Sequence, residues 1–255
     1  MKKKIIPSSP SPKPVKSKKI SPPKRTVQTE KIEADKPTAI FKEGTRPSLS
    51  CVRRLPSYLQ LLRVLQAEGH EYVSGTVLAS VHHLAPVIVR KDLAFTGITG
   101  TPRIGFQVKE LIVAIERFLG WDNQNKAVLI GVGNLGSALL GYQGFDNFGL
   151  QIVAAFDRDP KKIDKWIHDC KVHPLEQLSR FIRRSNIRIG VLTVPGEAAQ
   201  QTAEMMIESG LLGIWNFTPV KLKVPAHVVT QKEDLAEGLA VLSHRMQHAS
   251  KAVLE

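Results

Sequence analysis

The sequence predicts an α/β fold: a doubly wound parallel sheet, preceded by a small helical unit. Three observations carry this. From residue 121 onward, short apolar β-branched runs alternate with helical stretches, as βα repeats do. The first run, Ala127-Val128-Leu129-Ile130, leads directly into Gly131-Val132-Gly133-Asn134-Leu135-Gly136. Residues 47–120 instead hold short helical patterns and one glycine-rich stretch.

The first 46 residues belong to neither part. The chain has 255 residues and a net charge of +13, but residues 1–50 alone hold 13 Lys/Arg against 4 Asp/Glu, a net of +9. Eight of the 16 prolines also lie there. Such a segment buries too little apolar surface to offset its ordering entropy, so residues 1–46 are expected to be a disordered tail. Its charge suits either a solubilising leader or a basic arm on nucleic acid phosphates. No apolar run of about 18 residues exists, so no membrane span is expected. Pro7 ends the short apolar run after Met1-Lys2-Lys3-Lys4, leaving no signal-peptide core, and a cytoplasmic protein is expected. Two cysteines, Cys51 and Cys170, give no disulfide framework and no metal knuckle.

Residues 56–69 form the first predicted helix. Tyr58, Leu61, Leu62 and Leu65 recur at helical spacing, Pro56 suits a first turn and Gly69 a C-terminal cap. Ser74 caps a second helix over 75–81, with Val77, Leu78 and Val81 inward. After His82-His83-Leu84, Pro86 opens a third helix over 86–94, with Val87 and Leu93 inward. Residues 95–106 read as a hairpin wing. Two short helices joined by a tight turn and followed by a wing make a winged-helix candidate. Arg90 and Lys91 on the third helix, Arg103 on the wing and Arg54 before the first helix are the cations expected to meet double-stranded DNA. A helical dimerisation module with a solvated basic face is the competing reading of this stretch. Residues 107–119 form an amphipathic connector helix, closed by Gly120.

The second domain, residues 121–232, opens with the glycine loop. Its GxGxxG lies between strand and helix, and a second strand over 151–156 ends at Asp157, 21 residues after Gly136. That context marks a Rossmann-like dinucleotide site. Gly131 permits the tight turn, Gly133 lets pyrophosphate approach, and Gly136 permits close packing of helix on strand. Asp157 suits ribose hydroxyls and repels a 2′-phosphate, favouring NAD(H) over NADP(H); Arg158 beside it weakens the preference. A helix centred on 161–167, an extended piece at Val172, a helix over 174–184, a strand over 188–194 and a helix over 197–209 continue the alternation. Strands at 213–217 and 228–229 follow, then a final helix over 234–248. Ligands of such sheets bind beyond the C-terminal strand ends, which singles out the loops after Phe156, Val194 and Phe217. His168, His173 and His227 lie outside those loops, and no Tyr-x-x-x-Lys pair, Ser-His-Asp order or HExxH occurs. A dehydrogenase needs an acid or base near the nicotinamide, so a sensor is expected rather than an enzyme. A small Rossmann oxidoreductase, or a CoA-binding type of domain, is the alternative.

These residues together resemble one family, the bacterial Rex redox-sensing transcriptional repressors. The similarity covers roughly residues 48–248. It is carried by Arg90-Lys91-Asp92-Leu93, by the glycine loop continued through Ser137-Ala138-Leu139, and by Phe156-Asp157-Arg158-Asp159-Pro160. Leu192-Thr193-Val194-Pro195 and Trp215-Asn216-Phe217-Thr218-Pro219-Val220 complete it. The resemblance implies a homodimer, with a winged helix and a Rossmann domain in each subunit. It implies that the last helix, within 233–255, is exchanged with the partner. It implies binding to a palindromic operator when NADH is scarce, competition by NAD+, and release when NADH binds. It assigns base reading to Lys91 and phosphate contact or support to Arg90. It places Tyr142 near the nicotinamide, bonded to Asp234, and Thr193, Val194, Pro195, Asn216 and Phe217 in the dinucleotide cleft. The chain departs from the family at the wing, where Pro102 and Arg103 replace a common basic residue and a glycine. Ala85 replaces a capping Ser or Thr, weakening that cap by about 1 kcal/mol, Gln60 stands where some relatives have arginine, and the long tail is unusual.

Overall fold

A computed structural model describes residues 46–252, so all of the predicted tail but Arg46 lies outside the described residues. Helix α1 spans Leu49–Ala67. It starts seven residues before the predicted Pro56, because the Ser48 hydroxyl accepts the Cys51 N–H at 3.2 Å and the apolar stripe already begins at Cys51 and Leu55. Pro56 therefore sits inside the helix, where its missing N–H leaves the Val52 carbonyl without its usual helical partner.

Helices α2, Gly75–Val81, and α3, Pro86–Ala94, lie where predicted. Ser74 accepts the Val77 N–H at 3.2 Å, whereas Ala85 makes no side-chain cap and Pro86 occupies the first turn. The buried faces differ from expectation. Leu78 and Ala79 on α2, and Val89, Asp92 and Leu93 on α3, are buried. Val77, Val81 and Val87 are 46%, 52% and 54% exposed. The turn at 82–85 sets how the two helices rotate against their neighbours. Leu78, Val89 and Leu93 thereby join Leu55, Tyr58, Leu59 and Leu62 of α1 in one core.

The wing is shorter than a full hairpin. Strand β1, Tyr72–Val73, pairs antiparallel with β2, Phe106–Gln107, and a turn links Thr101 to Gly105 through an N–H···O bond of 2.7 Å. The returning strand thus pairs with residues ahead of α2, and Phe95 ends α3 instead. Helix α4, Val108–Leu119, is closed by Gly120 in the left-handed conformation, as predicted. Its Leu111 and Ile115 complete the same core.

The sheet domain runs β3 (Asn125–Ile130), α5 (Asn134–Leu140), β4 (Leu150–Asp157), β5 (Trp166–Ile167), β6 (Cys170–Pro174) and α6 (Leu178–Ser185). β7 (Ile189–Leu192), α7 (Gly196–Glu208), β8 (Gly213–Asn216), β9 (Val229–Lys232) and α8 (Leu235–Ala252) follow. The strand order is β5-β6-β4-β3-β7-β8-β9, parallel throughout except for β5 with β6. The helix expected over 161–167 does not form. There the chain turns back as a hairpin: the Asp164 and Val172 N–H groups bond Val172 and Lys165 carbonyls, both at 2.9 Å. Left-handed Asp164 and His168 are incompatible with a continuous helix.

Side chains alternate across the sheet as the pleat requires. Val128 and Ile130 face Phe156, Leu192, Leu178 of α6 and Ala203 and Met206 of α7. Ala127 and Leu129 face the other way, with Ala155, Val172 and Val191, against Leu139 and Leu140 of α5. Since β3 has β4 on one side and β7 on the other, the crossovers diverge above its C-terminal end. That is the switch point at which parallel sheets hold ligands.

Candidate functional site

The loop leaving β3 is built around two close approaches. Gly131 has φ +98°, and a Cβ there would stand 2.8 Å from Val194 Cγ1. A Cβ on Gly136 would collide with the Gly131 carbonyl oxygen and lie 3.0 Å from Thr193 Oγ1. Thr193 fastens the same loop: its hydroxyl donates to the Gly131 carbonyl at 2.7 Å. Gly133 is the N-cap of α5, and a Cβ there would meet open space. Asn134 and Leu135 are exposed beside it, while Val132 is buried.

Above this loop lies a cleft of about 470 Å³, lined among others by Gly131, Gly133, Asp157, Arg158, Thr193, Val194 and Pro195. Seven of the residues expected to hold a dinucleotide therefore share one cavity, whereas Val132, Asn134, Leu135, Gly136, Tyr142 and Asp234 are not among its lining residues. Asn216 and Phe217 do not line it. Asn216 is buried, its amide donating to the Val220 carbonyl at 2.8 Å and its oxygen accepting from Thr218. It shapes the loop after β8.

Asp157 is more engaged than the sequence suggested. One carboxylate oxygen accepts the Val132 N–H at 2.7 Å and Lys162 Nζ at 3.2 Å; the other accepts the Asp159 N–H at 2.9 Å. Burial pushes its carboxyl up, but the backbone N–H groups of Asp159 and Val132 and the Lys162 ammonium outweigh that. The group ends below the ordinary carboxylate range. It is a fixed negative charge at the end of β4, with one lone-pair site, on the oxygen that accepts from Asp159, still free for a hydroxyl donor. Sequence reading missed Lys162; its signal was a lysine five residues after a strand-ending acid.

Tyr142 is 53% exposed and meets Phe145 edge-on at 4.9 Å. Asp234 opens α8, accepting the Ala236 N–H at 3.0 Å and pairing with Lys232 at 3.0 Å. Among the described residues, no hydrogen bond joins Tyr142 to Asp234 within the chain.

In the winged unit, Arg90, Lys91 and Arg103 are exposed. Arg90 and Arg103 line one concave face with Ser74 and Thr76. Arg103 has φ +66°, a backbone conformation that favours glycine. Arg54, grouped from sequence with the DNA-facing cations, points into the domain. Its Nε and Nη2 donate to the two oxygens of Asp92, both at 2.7 Å. Tyr58 Oη donates to the same carboxylate at 2.9 Å. Burial raises Asp92, but the bonds from Arg54, Tyr58 and Cys51 overcome it and hold the group charged. Cys51 is pushed up to about 11 by burial and by Asp92, so it stays a thiol. This network under α3 was missed; its clue was an acid, Asp92, three residues after Val89 on the inward face.

Known proteins resemble both parts of this chain. A model described as "Putative DNA-binding protein N-terminus" matches residues 48–94, and one described as "CoA binding domain" matches residues 122–220. The redox-sensing transcriptional repressor Rex of Treponema denticola is 49% identical over 200 residues, covering 78% of this chain and 95% of that protein. The Rex repressor of Bacteroides fragilis is 38% identical, covering 80% and 93%. Among solved structures, the RSP repressor with NAD+ and operator DNA is similar at TM-score 0.75 and 32% identity, covering 81% of this chain and 95% of that one. RSP with NADH gives 0.74 and 31%, covering 83% and 100%. Identity of this extent, over a chain that carries both the basic winged helix and the glycine-loop cleft, places the protein in the Rex family of redox-sensing transcriptional repressors.

Proposed function

We propose that this protein is a repressor that binds operator DNA when NADH is low and releases it when NADH binds. The observation that carries this is the pairing, in one chain, of a cation-bearing recognition helix with a dinucleotide cleft at the sheet's switch point. The cleft fits NAD+ or NADH: the space a Cβ would fill at Gly131 and Gly136 is taken up by tight packing, and Gly133 leaves open room for a phosphate. Gly131 to Gly136 approach the pyrophosphate, Asp157 and Arg158 the adenine-side ribose, and Thr193, Val194 and Pro195 the rest of the ligand. The glycine loop and Asp157 perform no chemistry here; they bind and discriminate. The protein acts in the cytoplasm. No helix among the described residues is long and apolar enough to cross a membrane.

Asp157 gives a direct check. NADH should bind far better than NADPH, and Asp157→Ala should narrow that gap by roughly tenfold, the scale of a lost hydrogen bond to a charged group. Equal affinity of the unaltered protein for both cofactors would refute the role.

A palindromic operator requires two recognition helices about one DNA turn apart, hence a homodimer. Residues 233–255 are the segment we assign to exchange between subunits. Leu239, Val241, Leu242 and Met246 of α8 are more than half exposed. An apolar cavity of about 780 Å³ lies beside Trp121, Phe145, Phe148 and Trp215. An exchanged helix covers both surfaces and brings each Asp234 within reach of the other subunit's Tyr142. NADH and NAD+ differ in charge and planarity at the nicotinamide, and their unequal contacts must supply the switch. A full switch needs about 5.5 kcal/mol, under about 3 kcal/mol for each of two sites.

The deciding experiment titrates purified dimer onto a palindromic promoter probe with NADH and NAD+ in turn. Release by NADH alone is expected; hydride turnover without DNA binding would favour the oxidoreductase alternative. In the same assay Lys91→Ala should cost specific binding about 1–3 kcal/mol and non-specific binding less. Arg103→Gly should relieve about 1 kcal/mol of backbone strain yet reduce the slope of log affinity against log salt by about one. An unchanged slope would place Arg103 off the phosphates.

A further inference from the structure

A row of aromatic rings runs from Tyr142 to the root of α8. Tyr142 meets Phe145 at 4.9 Å, Phe145 meets Trp215 at 5.6 Å, and Trp215 meets Phe217 at 4.9 Å. Phe145 is buried and Trp215 partly so. Trp215 stands on β8, and its indole N–H donates to Glu233 Oε1 at 2.8 Å. Glu233 is the first residue after β9, and its own N–H donates to the Asn216 carbonyl at 2.9 Å. The residue after it, Asp234, opens α8. Glu233 is thus held to β8 twice, once by backbone and once by side chain, where the last helix leaves the sheet.

We propose that the Trp215–Glu233 bond ties the aromatic row to α8, and that both are positioning residues for the NADH response. The proposal rests on the NADH-responsive reading given above. Each ring touches the next, so a shift of Tyr142 or Phe217 presses on Trp215 through these contacts, and the apolar cavity beside Phe145 and Trp215 leaves Trp215 room to move in response. The indole N–H is a donor only, and its partner here is a carboxylate, which makes the bond a strong one. When Trp215 moves, Glu233 follows or the indole loses its acceptor. Either result alters the start of α8, which is the two-state element the dinucleotide must bias.

The test uses the full-length protein and Trp215→Phe, Glu233→Ala, Glu233→Gln and the Trp215→Phe/Glu233→Ala double variant. Operator affinity is measured at zero and saturating NADH, and NADH affinity separately. Trp215→Phe and Glu233→Ala should each reduce the NADH-induced change in operator affinity by at least about fivefold, the lower range of coupling between sites. Dimer state is checked by analytical ultracentrifugation, because Trp215 borders the cavity that the exchanged helix covers; in variants that stay dimeric, operator affinity without NADH should change by less than the NADH response does. Glu233→Gln, whose amide oxygen still accepts the indole N–H, should retain most of the response. The double variant should lose no more than either single one. Full release by Glu233→Ala and Trp215→Phe, or additive losses in the double variant, would overturn the tie while leaving the repressor reading intact. Absence of NADH-induced release from the unaltered protein would overturn that reading and the tie with it.

Discussion

Replacing Arg54 by alanine should loosen the recognition helix by about 3 kcal/mol, because it leaves the Asp92 carboxylate buried without its ion pair. Asp92 is 3% exposed, and Arg54 reaches it from α1, 38 residues away in sequence. Amides of α3 should exchange about a hundredfold faster, and operator affinity should fall with them. NADH affinity should hold, since the sheet domain has its own cores. If operator affinity falls while α3 keeps its protection, Arg54 is a phosphate contact after all. The pH dependence has a definite sign. Asp92 lies below its ordinary value in the folded protein. The pair's contribution is therefore complete above about pH 4, the unfolded carboxylate range, and is lost as pH falls through the folded value. Acid should unfold the winged unit of the parent, and this part of the acid dependence should be absent from Asp92→Asn.

The second large effect is expected at Gly136. In Gly136→Ala the new methyl meets the Gly131 carbonyl and Thr193 Oγ1, so the first turn of α5 must move off β3. Overpacking of this kind costs about 1–3 kcal/mol, and the displaced loop no longer presents its backbone to a pyrophosphate. NADH affinity should fall at least about a hundredfold, near 2.7 kcal/mol. Operator binding should persist and become insensitive to NADH, measured by titrating the variant in the same probe assay. Unaltered NADH affinity would place the dinucleotide elsewhere.

The glycine loop was legible because its requirements are local: strand, tight turn and helix follow one another within a dozen residues. The limits of α2 and α3 were legible for the same reason, since Ser74, Pro86 and the short connection act on their neighbours. The hairpin at 164–172 was not, because nothing in Lys161 to Ile167 announces that its partner is Val172. Nor was the true start of α1, where Pro56 suggested a first turn but the helix, capped by the Ser48 hydroxyl, starts seven residues earlier.

The sequence by itself determined the two-part architecture, the glycine loop after β3, the acid at the end of β4 and the positions of Arg90 and Lys91 on α3. Those follow from periodicity, capping and glycine placement, which act over a few residues. Only the tertiary structure decided that Arg54 serves Asp92, that Lys162 shares Asp157, that Val77, Val81 and Val87 face outward, and that Glu233 holds Trp215. Each depends on how elements rotate and pack against one another. Burial then sets the energy of a charge or an indole N–H, and burial is a property of neighbours distant in the chain.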